Sequence, residues 1–469
     1  MLLSRRAQSA LRTATRRTTW RRPYGTGFKK SDPLRILFCG SDEFSCASLQ
    51  ALHDEHKINS TLIRSIDVVV RPSKPTGRGY RVMREVPLRS LAQQLDLPIH
   101  ERDTFTGWNM PQPDGEPINL IIAVSFGLFV PPRLIHASKY GGLNVHPSLL
   151  PDLRGPAPIH HALLAERAHT GITIQTLSPE AFDAGVPLLQ TPAPGVPIPD
   201  GCTPARLHDL LAPLGARLLV RALRAGLHVP PHAPFAPSER QETPPPAHAP
   251  KITPRDRQVL WTSQAAREVA LRHRVLGPLW THVRIGDGKG KGKAGEDEDE
   301  RGGKGSAGEK RAILEDLSAV PGPPGRTAAR AGAGAEADAD VDVDAVPDGG
   351  DGTVVWVEKA PRPRTAEEGQ AKDGGTVMGT ESKRVALPYW VDADGEGGVV
   401  VRMADGSWLR IGRIKIEGST SKPAGRHGML PVALHIAWER QIEGTSRARS
   451  PSRRRPPPSR WIPASHVRG

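Results

Sequence analysis

From residue 34 onward the chain alternates short apolar runs with segments of helical periodicity, and that alternation constrains its fold more than any other feature. Apolar pieces stand at 34–39, 68–70, near Ile99, at 120–124 and at 143–146. Between them, Gly40-Ser41 makes a turn, and residues 44–52 place Phe44, Leu49 and Leu52 on one helical face. Residues 87–95 open with a proline and put Leu88, Leu91, Ala92 and Leu95 on one side, as a first-turn proline and a 3.6-residue period require. Thr203 before Pro204 is an N-cap signal for a helix with Leu207, Leu210, Leu211, Leu214 and Leu218 inward. Strand, crossover and strand in sequence connect parallel neighbours. The expected fold is α/β, a doubly wound and mainly parallel sheet.

Gly40 follows a strand and precedes a helix, but no Gly-x-Gly-x-x-Gly surrounds it. Arg71-Pro72 stands where a ribose-binding acid belongs, so a dinucleotide site is disfavoured. The chain has 469 residues, 37% of them hydrophobic, with 48 Gly and 47 Pro, too few apolar residues to bury a core over its whole length. Cys39, Cys46 and Cys202 have no metal-like spacing, and reduced thiols are expected. The net charge is +14, and it is uneven. Residues 1–31 hold seven Arg with Lys29 and Lys30 and no acid, a composition that reads as a mitochondrial transit peptide leading to the matrix. No run approaches the ~20 apolar residues that span a bilayer, so no membrane partner is expected.

The segment running from Leu143 to Pro151, with Arg154 and Gly155 after it and Asp183 in a later loop, carries the chemistry. Side chains alternate along a strand, so Asn144 and His146 share a face and Val145 takes the other. Prolines 147 and 151 end the strand at the edge where open α/β sheets bind ligands. An amide there can donate to a carbonyl oxygen gaining charge, an imidazole can move a proton, and an aspartate can orient the imidazole or relay protons. A lone strand-end histidine is more often a satisfied polar residue than a catalyst; the surrounding motif decides between these readings.

That motif resembles the folate-dependent formyltransferases, and within them the branch acting on methionyl-tRNA. The family's Asn-x-His with Ser-Leu-Leu-Pro-x-x-Arg-Gly-x-x-Pro-Ile stands at 144–159, its Thr-Gly-apolar-Thr at 170–173, and its Phe-x-Gly-Ser-x-x-Phe at 38–44. The short x-Asp-x-Gly loop stands at 182–185 with one extra residue upstream. The resemblance implies Asn144, His146 and Asp183 as catalytic residues, with protonated His146 and Asn144 stabilising an oxyanion. It implies 10-formyltetrahydrofolate as the formyl donor and no metal. Ser125, Phe126, Gly127 and Leu128, matching an Ala-Tyr-Gly-Leu loop, and Ser148, Leu149, Leu150 and Pro151 are the expected folate-binding residues.

Residues 71–81 are basic and punctuated by Pro and Gly, as a surface loop able to order against RNA phosphates would be. Their Pro-x-Gly-Arg-Gly core matches the insertion by which this branch contacts initiator tRNA. Arg78 therefore falls on the key arginine, with Lys74 and Arg81 beside it and Arg154 and Gly155 shaping the acceptor side.

The resemblance divides the chain into a transit peptide at 1–31, a catalytic domain at 32–229, a Pro-rich linker at 230–250, and a small OB-like β-barrel at 251–425. A basic tail follows at 426–469. Strand-like pieces at 313–314, 354–357, 399–403 and 408–416 would build the barrel, with Arg410, Arg413 and Lys415 alternating along one face to grip tRNA. The segments 286–310 and 321–351 are too rich in Gly, charge and Ala to fold; the Asp-x-Asp run 338–344 lacks the glycine and terminal glutamate of a calcium loop. The expected activity is formyl transfer to initiator methionyl-tRNA by a monomer with no stable protein partner. A formyltetrahydrofolate hydrolase, another folate formyltransferase and a noncatalytic RNA-binding relative are the alternatives.

Overall fold

The structure is a computed structural model that describes residues 29–76, 82–235, 245–284, 309–322, 352–359, 382–391 and 398–424. Residues 1–28, Arg78, Arg81, the basic tail and nearly all of the two biased segments lie outside the described residues. The chain divides into two compact units. One comprises the residues up to Ile159 with Ala168–Ala249, the other His160–Arg167 with the residues from Pro250 onward.

In the first unit, β1 (Leu34–Gly40), α1 (Glu43–Ile58) and β2 (Ile63–Val70) are followed by a two-stranded hairpin, β3 (Lys74–Thr76) and β4 (Val82–Arg84). Then come α2 (Pro87–Gln94), β5 (Ile99–Glu101), β6 (Leu120–Val124), α3 (Pro132–Ala137), β7 (Gly142–His146) and α4 (Pro158–Leu164), whose later residues belong to the second unit. The strands β8 (His169–Thr170), β9 (Thr173–Thr176), β10 (Pro187–Gln190) and β11 (Val196–Pro197) lead into α5 (Pro204–Arg224). The main sheet has the order β10-β9-β7-β6-β1-β2-β5. Five strands are parallel, and β9 and β10 extend that sheet antiparallel beyond β7. The chain goes from β1 to β2 on one side and returns to β6 on the other, so the switch point lies between the ends of β1 and β6.

Local chemistry explains the elements. Asp42 caps α1 by accepting from Ser45 N at 3.1 Å, and Thr203 caps α5 by accepting from Arg206 N at 3.3 Å with Pro204 in the first turn. The core is the strand set Leu34, Ile36, Phe38, Val68, Leu120 and Ile122 with Phe44, Leu49 and Leu52 of α1, all buried. Burial of both sheet faces explains why 36–39 of β1 and 68–70 of β2 read as continuous apolar runs instead of alternating.

The second unit opens with α6 (Ala266–Leu276). Its strands are β12 (Leu279–Arg284), β13 (Glu309–Val320), β14 (Gly352–Lys359), β15 (Ser382–Val391), β16 (Val399–Arg402), β17 (Trp408–Ile416) and β18 (Lys422–Pro423). Neighbours are antiparallel in the order β13-β12-β14-β15-β16-β17-β18, and β17 pairs back onto β13. That second pairing closes six strands into a barrel without open edges. Trp261 is fully buried in this unit and donates its indole N–H to Thr281 Oγ1 at 3.0 Å. Among the described residues no helix is long and apolar enough to cross a membrane.

The stretch expected as a linker is partly tied down. Leu153 N donates to Ala247 O (2.7 Å), Ala249 N to Arg154 O (2.7 Å), Ala157 N to Ala249 O (3.2 Å), and Ala247 N to Asp152 Oδ1 (2.9 Å). Residues 247–249 therefore run as a strap along the loop 152–157. The segment expected to remain unfolded up to 310 also ends sooner, since Glu309 and Lys310 begin β13.

Candidate active site

Strand β7 brings Asn144 and His146 to one face, and the antiparallel partner β9 places Gln175 opposite Asn144 and Thr173 opposite His146. Asp183 enters from the loop before β10, in the left-handed region at φ 53°. Four groups surround its carboxylate. Asn144 Nδ2 donates to Oδ1 at 3.0 Å, Gln175 Nε2 to Oδ1 at 3.2 Å, and Gly155 N to Oδ2 at 3.2 Å. His146 Nδ1 lies 3.5 Å from Oδ1. Gly185 is required for this placement, because a Cβ there would sit 1.7 Å from Thr176 O.

The imidazole is fixed at its other end. His146 Nε2 lies 3.1 Å from the Leu153 carbonyl, which only accepts, so Nε2 carries the proton and Nδ1 presents its lone pair toward Asp183. Leu153 reaches this position in a left-handed conformation, φ 56°. Burial pushes the His146 imidazole below its ordinary value, against the pull of the Asp183 charge and the Leu153 hydrogen bond, with Arg154 adding to the lowering. That lowering favours the neutral imidazole at rest, because desolvation outweighs the single facing carboxylate.

Several residues expected to contact the ligand make hydrogen bonds within the turn and with β9 and β10. Ser148 is buried and donates its hydroxyl to Asp152 O at 2.6 Å, while its carbonyl accepts from Thr173 Oγ1 at 2.7 Å. Leu150 is buried too: its N–H goes to Thr173 Oγ1 (3.0 Å), and its carbonyl accepts from Gln190 Nε2 (2.7 Å). The turn after β7 has to satisfy its own polar groups, and Ser148 and Leu150 are consumed in doing so. Leu149 is half-buried against Gly171, and Pro151 is exposed. Gly155, expected on the acceptor side, donates to Asp183, and Arg154 is exposed.

The loop after β6 divides by residue. Phe126 is buried with Phe105, Val130 and Leu134, so its side chain is core. Ser125 and Gly127 are exposed and both have positive φ (47° and 73°), which turns backbone outward at the switch point. A Cβ on Gly127 would meet nothing within 4 Å. Leu128 is half-buried, and exposed Phe182 lies edge-on to Phe129 at 5.2 Å between ring centroids. Exposed backbone and an aromatic edge beside the Asp183 loop suit a flat heteroaromatic ring that makes main-chain hydrogen bonds.

In the barrel, Arg410, Arg413 and Lys415 of β17 all point away from the interior, but not by simple alternation. Leu409 and Ile411 are buried, then Ile414 and Ile416, so the in-out phase resets at Gly412. Opposite it, Asp316 takes φ 58°, and a Cβ on Gly412 would lie 2.0 Å from Asp316 Oδ2. Arg410 pairs with Asp316 at 3.3 Å, and Arg413 lies 3.9 Å from Glu315. Lys74 begins β3 and pairs there with Arg84. Among the described residues no group of three or more His, Cys, Asp and Glu could hold a metal ion.

Gln175, Gln190 and the strap residues Ala247 and Ala249 are given no role in the sequence reading, and Thr173 enters it only through the Thr-Gly-apolar-Thr motif. For Gln175 a partial signal existed: Thr173 and Gln175 are polar residues two apart in a strand, and both are buried.

Residues 34–223, which include the sheet, its switch point and the Asn144-His146-Asp183 cluster, match the family described as formyl transferase. The chain belongs to the folate-dependent formyltransferase family, related at moderate identity to methionyl-tRNA formyltransferases. It is 36% identical over 280 residues to the mitochondrial methionyl-tRNA formyltransferase of Saccharomyces cerevisiae, covering 53% of this chain and 69% of that one. The mitochondrial protein of Homo sapiens is 32% identical over 268 residues, covering 56% and 62%. The methionyl-tRNA formyltransferase of Chromohalobacter salexigens is 32% identical over 265 residues, covering 54% and 74%. Among solved structures, glycinamide ribonucleotide transformylase 1 from Geobacillus kaustophilus matches at 22% identity and a TM-score of 0.33, covering 42% of this chain and 99% of that one.

Proposed function

We propose that the chain transfers a formyl group from 10-formyltetrahydrofolate to the amino group of initiator methionyl-tRNA, as a monomer in the mitochondrial matrix and without a metal. The observation that carries the reading is the convergence of Asn144, His146 and Asp183, with a neutral imidazole whose free nitrogen faces a carboxylate. Support for the acceptor comes from the relatives named above and from the Pro-x-Gly-Arg-Gly sequence that begins at Pro75 in β3. The location is supported by the mitochondrial names of those relatives and by the Arg-rich, acid-free first 31 residues.

The residues divide the work. Asn144 spends one of its two amide hydrogens on Asp183 and has the second for the formyl oxygen as charge develops there. His146 takes the proton of the attacking amine at Nδ1, where the Asp183 carboxylate stabilises the resulting cation. Leu153 O holds the ring so that Nδ1, not Nε2, is the base. Asp183 is held in place by its three N–H donors. When bound, the folate would supply the formyl group: as the bond from the amine nitrogen to the formyl carbon forms, the formyl–N10 bond would break and the proton held on His146 would pass to N10.

The test is transfer of labelled formyl from 10-formyltetrahydrofolate to charged initiator tRNA by the full chain and by His146→Ala. Formyl-methionyl-tRNA made by the first and not by the second is expected. Formate release without tRNA product would replace this reading with a hydrolase. Transfer only to a small amine would replace the acceptor.

A further inference from the structure

Gln175 is 1% exposed, and its Oε1 has no hydrogen-bond partner, while its Nε2 donates to Asp183 Oδ1 at 3.2 Å. A buried amide oxygen without a partner costs about 1–3 kcal/mol. An apolar side chain of the same length would fill the position in β9 without that cost. Rotating the amide would not help, because Oε1 would then face the carboxylate. The amide is therefore held for what Nε2 does.

We infer that Gln175 is a positioning residue of the catalytic centre: with Asn144 directly across the strand pair, it clamps Asp183 Oδ1 between two amide donors and keeps that oxygen opposite His146 Nδ1. The geometry is closed on every side. Asn144 and Gln175 are a cross-strand pair of β7 and β9, and both donate to the one oxygen. Gly155 holds the other oxygen from the loop 152–157. The titratable and charged groups near the cluster are His146 on β7, Arg154 on that loop and His248 on the strap beside Gly155; β9 contributes none. The inference rests on the proposed formyl transfer for its kinetic readout alone.

The test uses the full chain with two substitutions. Gln175→Met keeps length and removes the donor. The expected result is a kcat lowered about 30-fold or more, with KM for folate and tRNA within twofold. The acid limb of the kcat–pH profile should also move upward by about one pH unit, because a carboxylate with one donor fewer attracts the proton on His146 more strongly. Gln175→Glu is isosteric and donates to Asp183 only when protonated. Its activity is expected to rise as pH falls over the range where wild-type activity declines, a reversal that a packing defect does not produce. Carbon-13 NMR titration of His146, assigned by the resonance lost in His146→Asn, gives a readout free of substrate. An added carboxylate beside Asp183 is expected to raise the imidazole value in Gln175→Glu by about one unit. A Gln175→Met profile of unchanged shape, or a His146 titration unmoved in Gln175→Glu, would overturn the inference. A shifted titration in a protein that forms no formyl-methionyl-tRNA would leave the positioning role intact and sink the proposed function instead.

Discussion

The two units handle charge in opposite ways. In the first, donors from two strands and a loop converge on one carboxylate, Asp183, and both of its oxygens accept hydrogen bonds. In the second, cations stand along the outer face of a barrel strand, with Arg410 and Arg413 each near an acid of the neighbouring strand. One arrangement depends on tenths of an ångström, whereas the other depends only on where net charge lies. Single substitutions should therefore cost orders of magnitude in the first unit and small factors in the second. A barrel substitution with a catalytic-scale effect would break that contrast.

The largest effect is expected at His146. His146→Ala removes the only imidazole that faces Asp183 across the site among the described residues, and a positioned base is worth about 10²–10⁴ in rate. Single-turnover formyl transfer should fall by about 10³ with little change in melting temperature. Gly185→Ala comes next. Its Cβ would meet backbone at Thr176 O, which has no flexible end to yield, so the loop carrying Asp183 must shift. A displacement near 1 Å costs about 10² in rate. Circular dichroism should remain unchanged, and a fully active Gly185→Ala would show that the rate does not depend on the carboxylate's placement.

These two positions also separate what the sequence disclosed from what it concealed. Asn144 and His146 were legible because strand alternation is local: two residues apart means one face. Five parallel strands were legible for the same reason, through the period change from strand to helix. Nothing local announces that β9 pairs antiparallel with β7, so Gln175 reaches the site only through long-range register. The strap at 247–249 is hidden in a proline-rich stretch whose composition reads as linker, although its backbone bonds are made to residues about 95 positions away. In the barrel, strict alternation sets Arg410 and Arg413 on opposite faces; the reset at Gly412 and Asp316 brings them together. β15 escaped because a proline and flanking charges mask its apolar residues.

A third test concerns stability in the first unit. His228 is fully buried, with Ser31 Oγ 2.9 Å from Nε2, Tyr140 edge-on at 5.2 Å, and Lys29 and His232 as the nearby cations. Burial, reinforced by the charges of His232 and Lys29, pushes the imidazole down to about 4 from 6.5. Above 6.5 both folded and unfolded chains carry it neutral, and the full stability is present. As pH falls below 6.5 the unfolded chain takes a proton that the folded chain refuses, so stability declines until about pH 4. The loss is of order 3 kcal/mol. Urea unfolding between pH 7.5 and 4 should show that slope, and His228→Phe should flatten it. An unchanged slope in the variant would assign the acid sensitivity to another group.

The smallest effects belong to the barrel, and they test the contrast from its other side. Lys415 is exposed on β17, and Arg413 shares its outward face while bonding to Ser421. If the proposed tRNA substrate lies along this face, each cation neutralises about one phosphate, and the loss of one lowers the slope of log affinity against log salt by about 1. Lys415→Ala should weaken initiator-tRNA binding a few-fold at 0.1 M salt and much less at 0.4 M, with single-turnover rates at saturating tRNA unchanged. Arg410→Ala should do less, because its side chain is 16% exposed and held by Asp316. The two variants should also combine additively, since a field sums over charges and no single atom pair carries it. Non-additive loss, or a fall in the saturated rate, would mean that β17 positions the substrate as strictly as β7 positions His146.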